Sequence, residues 1–395
     1  MASPLDGRRL WFVGIGGAGL SGYALLAQAW GAAVAGWDRY DTPYLENVRA
    51  AGIPVTISDS PQSAPEGWEA VVSTAFQGQV SGRSRAELLA ELVTLQDSIV
   101  VAGAHGKTTT AAMIAFVLDR LGLDPAFLIG GDVPQLGGNA RAGTGWLVVE
   151  GDESDRTISH LRPKIAVVTN VDLDHHAEFG SRAEVEELFE KWLAKVPLVV
   201  RGEELGALAS DVGVIGEHNR RNGASAVAAL DLAGITRGDA LSKLMLFTGV
   251  GRRLEVRGEV GGVLVMDDYA HHPAEIAATL SAAQGRRLLV LFQPHLFSRT
   301  RHLAAELGQA LAAAEVVAVT DIYPAREEPV EGVTGKLVVD ALLETRPGMP
   351  VGWTPSIEDG ARFLTRRARA GDVVLTIGAG DVDRAVPLLL QELSP

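Results

Sequence analysis

The stretch "VVAGAHGKTTTAAM", Val100 to Met113, decides how this chain is read. An apolar strand runs into a small turn carrying two glycines and a lysine, and a helix starts on the threonines. Chains build a cradle for a nucleotide triphosphate in this way. Gly103, Ala104, His105, Gly106, Lys107, Thr108 and Thr109 approximate the phosphate-binding loop, with Val101 where a further glycine is usual. Gly106 frees the backbone, Lys107 can reach the outer phosphates, and the Thr108 hydroxyl can ligate a magnesium ion. A turn used only for packing would have little use for a lysine and a threonine at a helix start.

A second cradle opens the chain. "RRLWFVGIGGAGLSG" places Gly14, Gly16, Gly17, Ala18 and Gly19 after a strand and at a helix start, and Asp38 ends the next strand. This is the G-x-G-x-x-G fingerprint, with its acidic residue about 20 positions on. It calls for a nucleotide bearing a diphosphate, without specifying nicotinamide.

Acidic residues at the ends of apolar strands supply the rest of the lysine-loop site. "LVVEGDESD" ends a strand on Glu150, where a carboxylate is costly unless it meets a cation. "VVTNVDLDHH" ends another with Asn170, Asp172, Asp174, His175 and His176. Open α/β sheets bind ligands at the carboxyl ends of their strands, so Lys107, Thr108, Glu150 and His175 are expected to converge there. Asp152 and Asp155 serve equally well as helix caps.

The chain's 395 residues, 47% of them hydrophobic, suffice for two or three domains. Alternating strand-like and helical runs give an α/β fold of three domains in series, over 1–95, 96–247 and 248–395. The net charge of −14 argues against a broad nucleic-acid-binding face. No apolar run reaches membrane-spanning length and no secretory leader is evident, so a cytoplasmic location is expected. The absence of cysteine excludes disulfides, thiolate metal sites and a cysteine nucleophile.

Seven motifs follow one another: "GAHGKTTT", "VEGDESD", "VTNVDLDHH", "GEHNRRNGASAVAA", "GVGRRLE", "DDYAHHPAEI" and "LFQPHLFSRTR". In this order the chain resembles the Mur ligases over nearly its whole length, and "DESD" and "FQPHLFSRTR" resemble the alanine-adding branch. The resemblance implies a Rossmann-like N-terminal domain, a P-loop ATPase-like central domain and a Rossmann-like C-terminal domain. It implies an ATP-dependent, magnesium-requiring ligase that joins L-alanine to UDP-N-acetylmuramate through an acyl phosphate. The first cradle would then hold UDP and the second ATP.

Carried onto this sequence, the resemblance implies phosphate contacts from Lys107 and its loop, and magnesium ligands in Thr108, Glu150 and His175. It implies that His218, Asn219 and Asn222 lie near the adenine and phosphates, Arg253 on the phosphates and Asp268 near the ribose. His271, Arg299 and Arg301 would face the reacting carboxylate, the phosphoryl group or the amino acid. The stretch from His176 to Gly216 is shorter than in the family, so a trimmed central sheet is expected. A murein-peptide recycling ligase, a nicotinamide dehydrogenase and a nucleotide-binding paralogue without turnover are the competing readings.

Overall fold

The computed structural model describes residues 3–153, 156–173, 179–325 and 327–394. They form three sheets, each drawn from its own stretch of chain. The first two sheets belong to one compact unit, and the third lies in another that also takes in Ile215–His218.

In the first unit, strands β1 (Arg9–Val13), β2 (Ala33–Asp38), β3 (Val55–Ile57), β4 (Glu69–Val72) and β5 (Arg83–Ser84) pair in the order β3-β2-β1-β4-β5. Every pairing is parallel. Helices α1 (Ala18–Ala29) and α2 (Tyr44–Ala50) connect β1, β2 and β3 in turn, and α3 (Arg85–Leu92) follows β5. The order reverses between β1 and β4, which puts a crevice at the carboxyl end of β1, where the glycine turn lies. Phe12 and Trp37, fully buried, anchor the core.

The second sheet holds β6 (Ser98–Ala102), β7 (Ala126–Val133), β8 (Gly138–Arg141), β9 (Leu147–Glu150), β10 (Ile165–Val168) and β11 (Leu198–Arg201), in the order β11-β10-β6-β9-β7-β8. All its pairings are parallel except β7 with β8. Helix α4 (Lys107–Arg120) starts at the lysine loop and is buried without interruption from Thr109 to Leu118. Such a helix reads as apolar all round because a sheet and other helices enclose it. Helices α5 (Arg182–Leu193), α6 (Glu217–Leu232) and α7 (Arg237–Leu244) complete the domain, and Phe247 packs against Phe116 of α4 with ring centroids 5.4 Å apart. Helix α1 rests on β7 and β8: a side chain at Gly22 would stand 3.0 Å from the Ala140 methyl.

The second unit is built on β12 (Glu255–Val260), β13 (Val263–Asp268), β14 (Leu288–Phe292), β15 (Val316–Val319), β16 (Val351–Trp353) and β17 (Val373–Ile377), in the order β12-β13-β17-β14-β15-β16. Only the β12–β13 pairing is antiparallel. Along β14, Leu288, Val290 and Phe292 enter one core, and Leu289 and Leu291 the other. That alternation, with all five buried, is the mark of a strand covered on both faces. The covering helices are α8 (Pro273–Ala282), α9 (Phe297–Leu311), α10 (Lys336–Thr345), α11 (Ile357–Thr365) and α12 (Ala385–Glu392). Among the described residues no helix is long and apolar enough to cross a membrane.

Candidate functional site

Strands β10, β6 and β9 are parallel neighbours, so their carboxyl ends share one edge of the central sheet. The lysine loop follows β6, Glu150 ends β9, and Thr169 and Asn170 follow β10. Asn170 pins the loop: its Oδ1 accepts from His105 N at 2.9 Å and its Nδ2 donates to His105 O at 2.9 Å. Thr169 Oγ1 donates to the same carbonyl at 2.6 Å. Gly106, the residue before α4, has φ +80°, and a Cβ there would stand 2.3 Å from Asn222 Oδ1 on α6. Only glycine meets both demands. Asn222 is therefore a wall of the loop, and its Nδ2 donates to Asn219 Oδ1 at 3.3 Å.

Lys107 is turned back over this loop. Its Nζ donates to Gly103 O at 2.6 Å, Ala104 O at 3.2 Å and Glu153 Oε1 at 3.0 Å. Burial alone would lower its pKa, but the carboxylates of Glu153, Glu150 and Asp152 outweigh burial and hold it above the ordinary lysine range. The side chain is a fixed positive charge at any working pH. Thr108 Oγ1 donates to Glu150 Oε1 at 3.0 Å, and Gly130 N donates to Glu150 Oε2 at 2.7 Å. Glu153, almost wholly buried, is the lysine's acidic partner and was not singled out from the sequence. Its place three residues beyond a strand end was the available signal. His175, Asp174, His176 and Asp155 lie outside the described residues.

The first cradle is more self-contained than its fingerprint suggests. Asp38 Oδ2 accepts from Gly16 N at 2.7 Å, and Oδ1 accepts from Arg39 N at 2.7 Å and Tyr40 N at 3.2 Å. Asp38 thus braces the glycine turn. Gly17 N donates to Gly14 O at 3.2 Å, which leaves the first turn of α1, from Ala18 through Gly19, to offer N–H groups to an anion.

In the second unit, Asp268 at the end of β13 is buried and fully engaged. Its Oδ2 accepts from Leu254 N at 2.7 Å; Oδ1 accepts from Ala270 N at 2.8 Å and Thr279 Oγ1 at 3.0 Å. Burial pushes its pKa up, against the pull of Arg253 and these donors. Arg253 lies over the Tyr269 ring at 5.3 Å and 3.8 Å from Glu275 Oε1. His271 lies 3.4 Å from Glu275 Oε2, and His272 caps α8 by accepting from Ala274 N at 3.4 Å. Arg299 is buried on α9, with Nη1 3.3 Å from His295 Nδ1, and the His295 ring stacks on Tyr323. Arg301, two residues on, is exposed to solvent. Arg253, His271 and Arg299 thus gather around Tyr269, Glu275 and His295, and Arg301 stays outside that cluster.

His218 belongs to this unit, where burial first and Arg253 second push its pKa down, with Glu275 opposing. The folded chain holds it neutral below the usual imidazole range. An unfolded imidazole takes up a proton near pH 6.5, so below that pH the unfolded state binds more protons. Its stability contribution is complete above about pH 6.5 and is lost as the pH falls toward the folded value. Denaturation midpoints at about pH 7.5 and 5.5 are expected to differ more for the wild type than for His218→Gln. Equal differences would refute the assignment.

Three family models match the chain in sequence: Mur ligase family, catalytic domain, over residues 9–96; Mur ligase middle domain, over 101–201; and Mur ligase, glutamate ligase domain, over 252–380. The UDP-N-acetylmuramate--L-alanine ligase of Streptomyces griseus subsp. griseus is 38% identical, covering 99% of this chain and 98% of its own. That of Renibacterium salmoninarum is 37% identical, covering 98% and 96%. The first alignment spans 460 positions against 395 residues here, so several dozen residues of that relative have no counterpart. Among solved structures, the UDP-N-acetylmuramate-alanine ligase of Thermotoga maritima superposes with a TM-score of 0.78 at 24% identity, covering 97% of this chain and 98% of its own. The murein peptide ligase of Psychrobacter arcticus gives 0.65, also at 24% identity, covering 98% and 99%. Both share the fold: three α/β domains with predominantly parallel sheets. By sequence along its whole length, the chain belongs to the Mur ligase family.

Proposed function

We infer that this chain is an ATP-dependent ligase that joins L-alanine to the lactyl carboxylate of UDP-N-acetylmuramate, a step in making peptidoglycan precursors. Relatives of that name at 35–38% identity, matched end to end, carry the reading. The convergence of Lys107, Thr108 and Glu150 on one sheet edge supports it chemically. The domains run over 1–95 for the sugar nucleotide, 96–247 for ATP and 248–395 for closure over the site, and the setting is the cytoplasm.

In the reaction a lactyl carboxylate oxygen attacks the γ-phosphorus, the bond to ADP breaks, and an acyl phosphate forms. The amine of alanine then attacks the acyl carbon, phosphate leaves, and the nitrogen gives up a proton. Such chemistry needs positioning and neutralised charge more than an enzyme nucleophile. Lys107 and the 103–109 loop hold the ATP phosphates. His218, Asn219 and Asn222 lie toward the nucleotide, with Arg253 on the phosphates and Asp268 bracing the ribose side. His271 and Arg299 face the carboxylate or the amino acid.

Thr108 and Glu150 bring a hydroxyl and a carboxylate oxygen together at the sheet edge beside the lysine loop, the hard oxygen donors that magnesium takes, and with His175 they would hold the ion. When bound, it supplies charge neutralisation for the transferring phosphoryl group.

The test is phosphate release from ATP and Mg²⁺ with UDP-N-acetylmuramate and L-alanine present together or singly. Release that needs both is expected. Release with a tripeptide but not with alanine would make it a recycling ligase, and nucleotide binding without turnover a paralogue that has lost the reaction.

A further inference from the structure

Helix α9 starts without a cap of its own. Leu296 precedes it, a residue with no side-chain oxygen, and its backbone sits at φ +70° and ψ 134°. A side chain makes that conformation costly, and it persists only where the surroundings impose it. The loop after β15 does so. Tyr323 N donates to Pro294 O at 2.8 Å, and Leu296 N donates to Tyr323 O at 3.0 Å. Glu327, 29 positions beyond Ser298, completes the grip: its Oε2 accepts from Ser298 N at 2.9 Å and its Oε1 from Ser298 Oγ at 2.5 Å. The carboxylate satisfies a first-turn N–H that an N-cap side chain usually takes, and negative charge suits a helix start.

If stability alone were at stake, a Ser, Thr or Asp in place of Leu296 would cap the helix locally. The distant carboxylate acts instead on a short leading piece of α9. Leu303 has φ −114° and ψ 15°, which kinks the helix there, so the leading piece is not continuous with the half that Leu307 and Leu311 anchor in the core. Arg299 lies in that leading piece, next to Ser298, and is buried beside His295. A guanidinium is aimed by the backbone that carries it, and a misplacement of about 1 Å at the reacting groups can cost about 100-fold in rate.

We propose that Glu327 is a positioning residue for the ligase reaction: through Ser298 it sets the leading turn of α9, and with it the place of Arg299. This rests on the reading of the chain as a ligase. The experiment is steady-state phosphate release by the full-length chain, with ATP, UDP-N-acetylmuramate and L-alanine varied in turn, for the wild type, Glu327→Ala and Glu327→Gln. Hydrogen exchange at the Ser298 amide is followed on the same proteins. In Glu327→Ala that amide is expected to exchange faster. The KM for alanine or for UDP-N-acetylmuramate, the two substrates that bring a carboxylate, should rise about tenfold or more, with the KM for ATP within about twofold of wild type. Glu327→Gln keeps an acceptor for Ser298 and should recover part of both effects. All three KM values within about twofold of wild type in Glu327→Ala overturn the proposal. So does a loss confined to kcat with a lowered thermal midpoint, which a smaller folded fraction would produce. A wild type that releases no phosphate overturns the ligase reading and the proposal together, whereas an active wild type with unchanged variants overturns the proposal alone.

Discussion

Replacing Lys107 by alanine is expected to cut alanine-dependent phosphate release by about a thousandfold, while UDP binds within about threefold of wild type. The size follows from where the charge sits. Nζ is fixed by Gly103 O, Ala104 O and Glu153, in a turn that Asn170 and Thr169 tie to β10. A cation already in position loses little reorganisation energy when charge develops on a transferring phosphoryl group. Water entering the alanine variant cannot replace it, because water is neither cationic nor fixed. UDP binding should survive because the glycine turn at 14–19 is braced by Asp38, with no contribution from Lys107. Single-turnover phosphate release and UDP calorimetry on the same preparation decide the matter. Equal losses in both would contradict the assignment of separate cradles.

The second large effect concerns folding. Arg252→Ala is expected to destabilise the C-terminal unit by about 3–5 kcal/mol, because it leaves a buried carboxylate uncompensated. Asp267 has no exposed surface; its Oδ2 accepts from Arg252 Nε at 2.8 Å and its Oδ1 from Thr376 Oγ1 at 2.5 Å. Arg252 also donates to Gly380 O at 2.9 Å and Gly378 O at 2.8 Å, closing the end of β17. Hydrogen-exchange protection in β13 and β17 should fall accordingly, since those amides report opening of this sheet. Adding Asp267→Asn should restore part of the loss by removing the stranded charge. Unchanged protection in the single variant would show that the pair contributes nothing.

These two arginines mark a limit of sequence reading. "GVGRR" offers Arg252 and Arg253 side by side, and the resemblance assigns the ligand role to Arg253. Both are half-buried and lie over Tyr269, at 5.2 and 5.3 Å from its ring; what separates them is the partner, Arg252, with φ +57°, reaching the buried Asp267 and Arg253 lying near Glu275. Arg299 and Arg301 divide by exposure on α9, the first buried against His295 and the second in solvent. Residues two apart on a helix point about 200° from one another, so the helix's docking decides which is buried.

The interior strands were legible because each is a continuous apolar run, as parallel strands covered on both faces must be. The strands that escaped notice lie mostly toward sheet edges. Strand β12 carries Glu255, Arg257 and Glu259, β16 has three residues, and β7 is interrupted by Gly130 and Gly131. An edge strand pairs on one side and needs less apolar surface, so its sequence says little.

The sequence by itself determined the order of the cradles, the α/β class and the membership of the family. Each rests on a strand, a turn and a helix start adjacent along the chain, where local sterics and hydrogen bonding suffice. Only the tertiary structure decided the partners: Glu153 for Lys107, Asn222 against Gly106, Glu327 for Ser298, Asp267 for Arg252. Those pairs join residues far apart in the chain, and which carboxylate meets which cation depends on how strands and helices pack, a choice that no short stretch of sequence encodes.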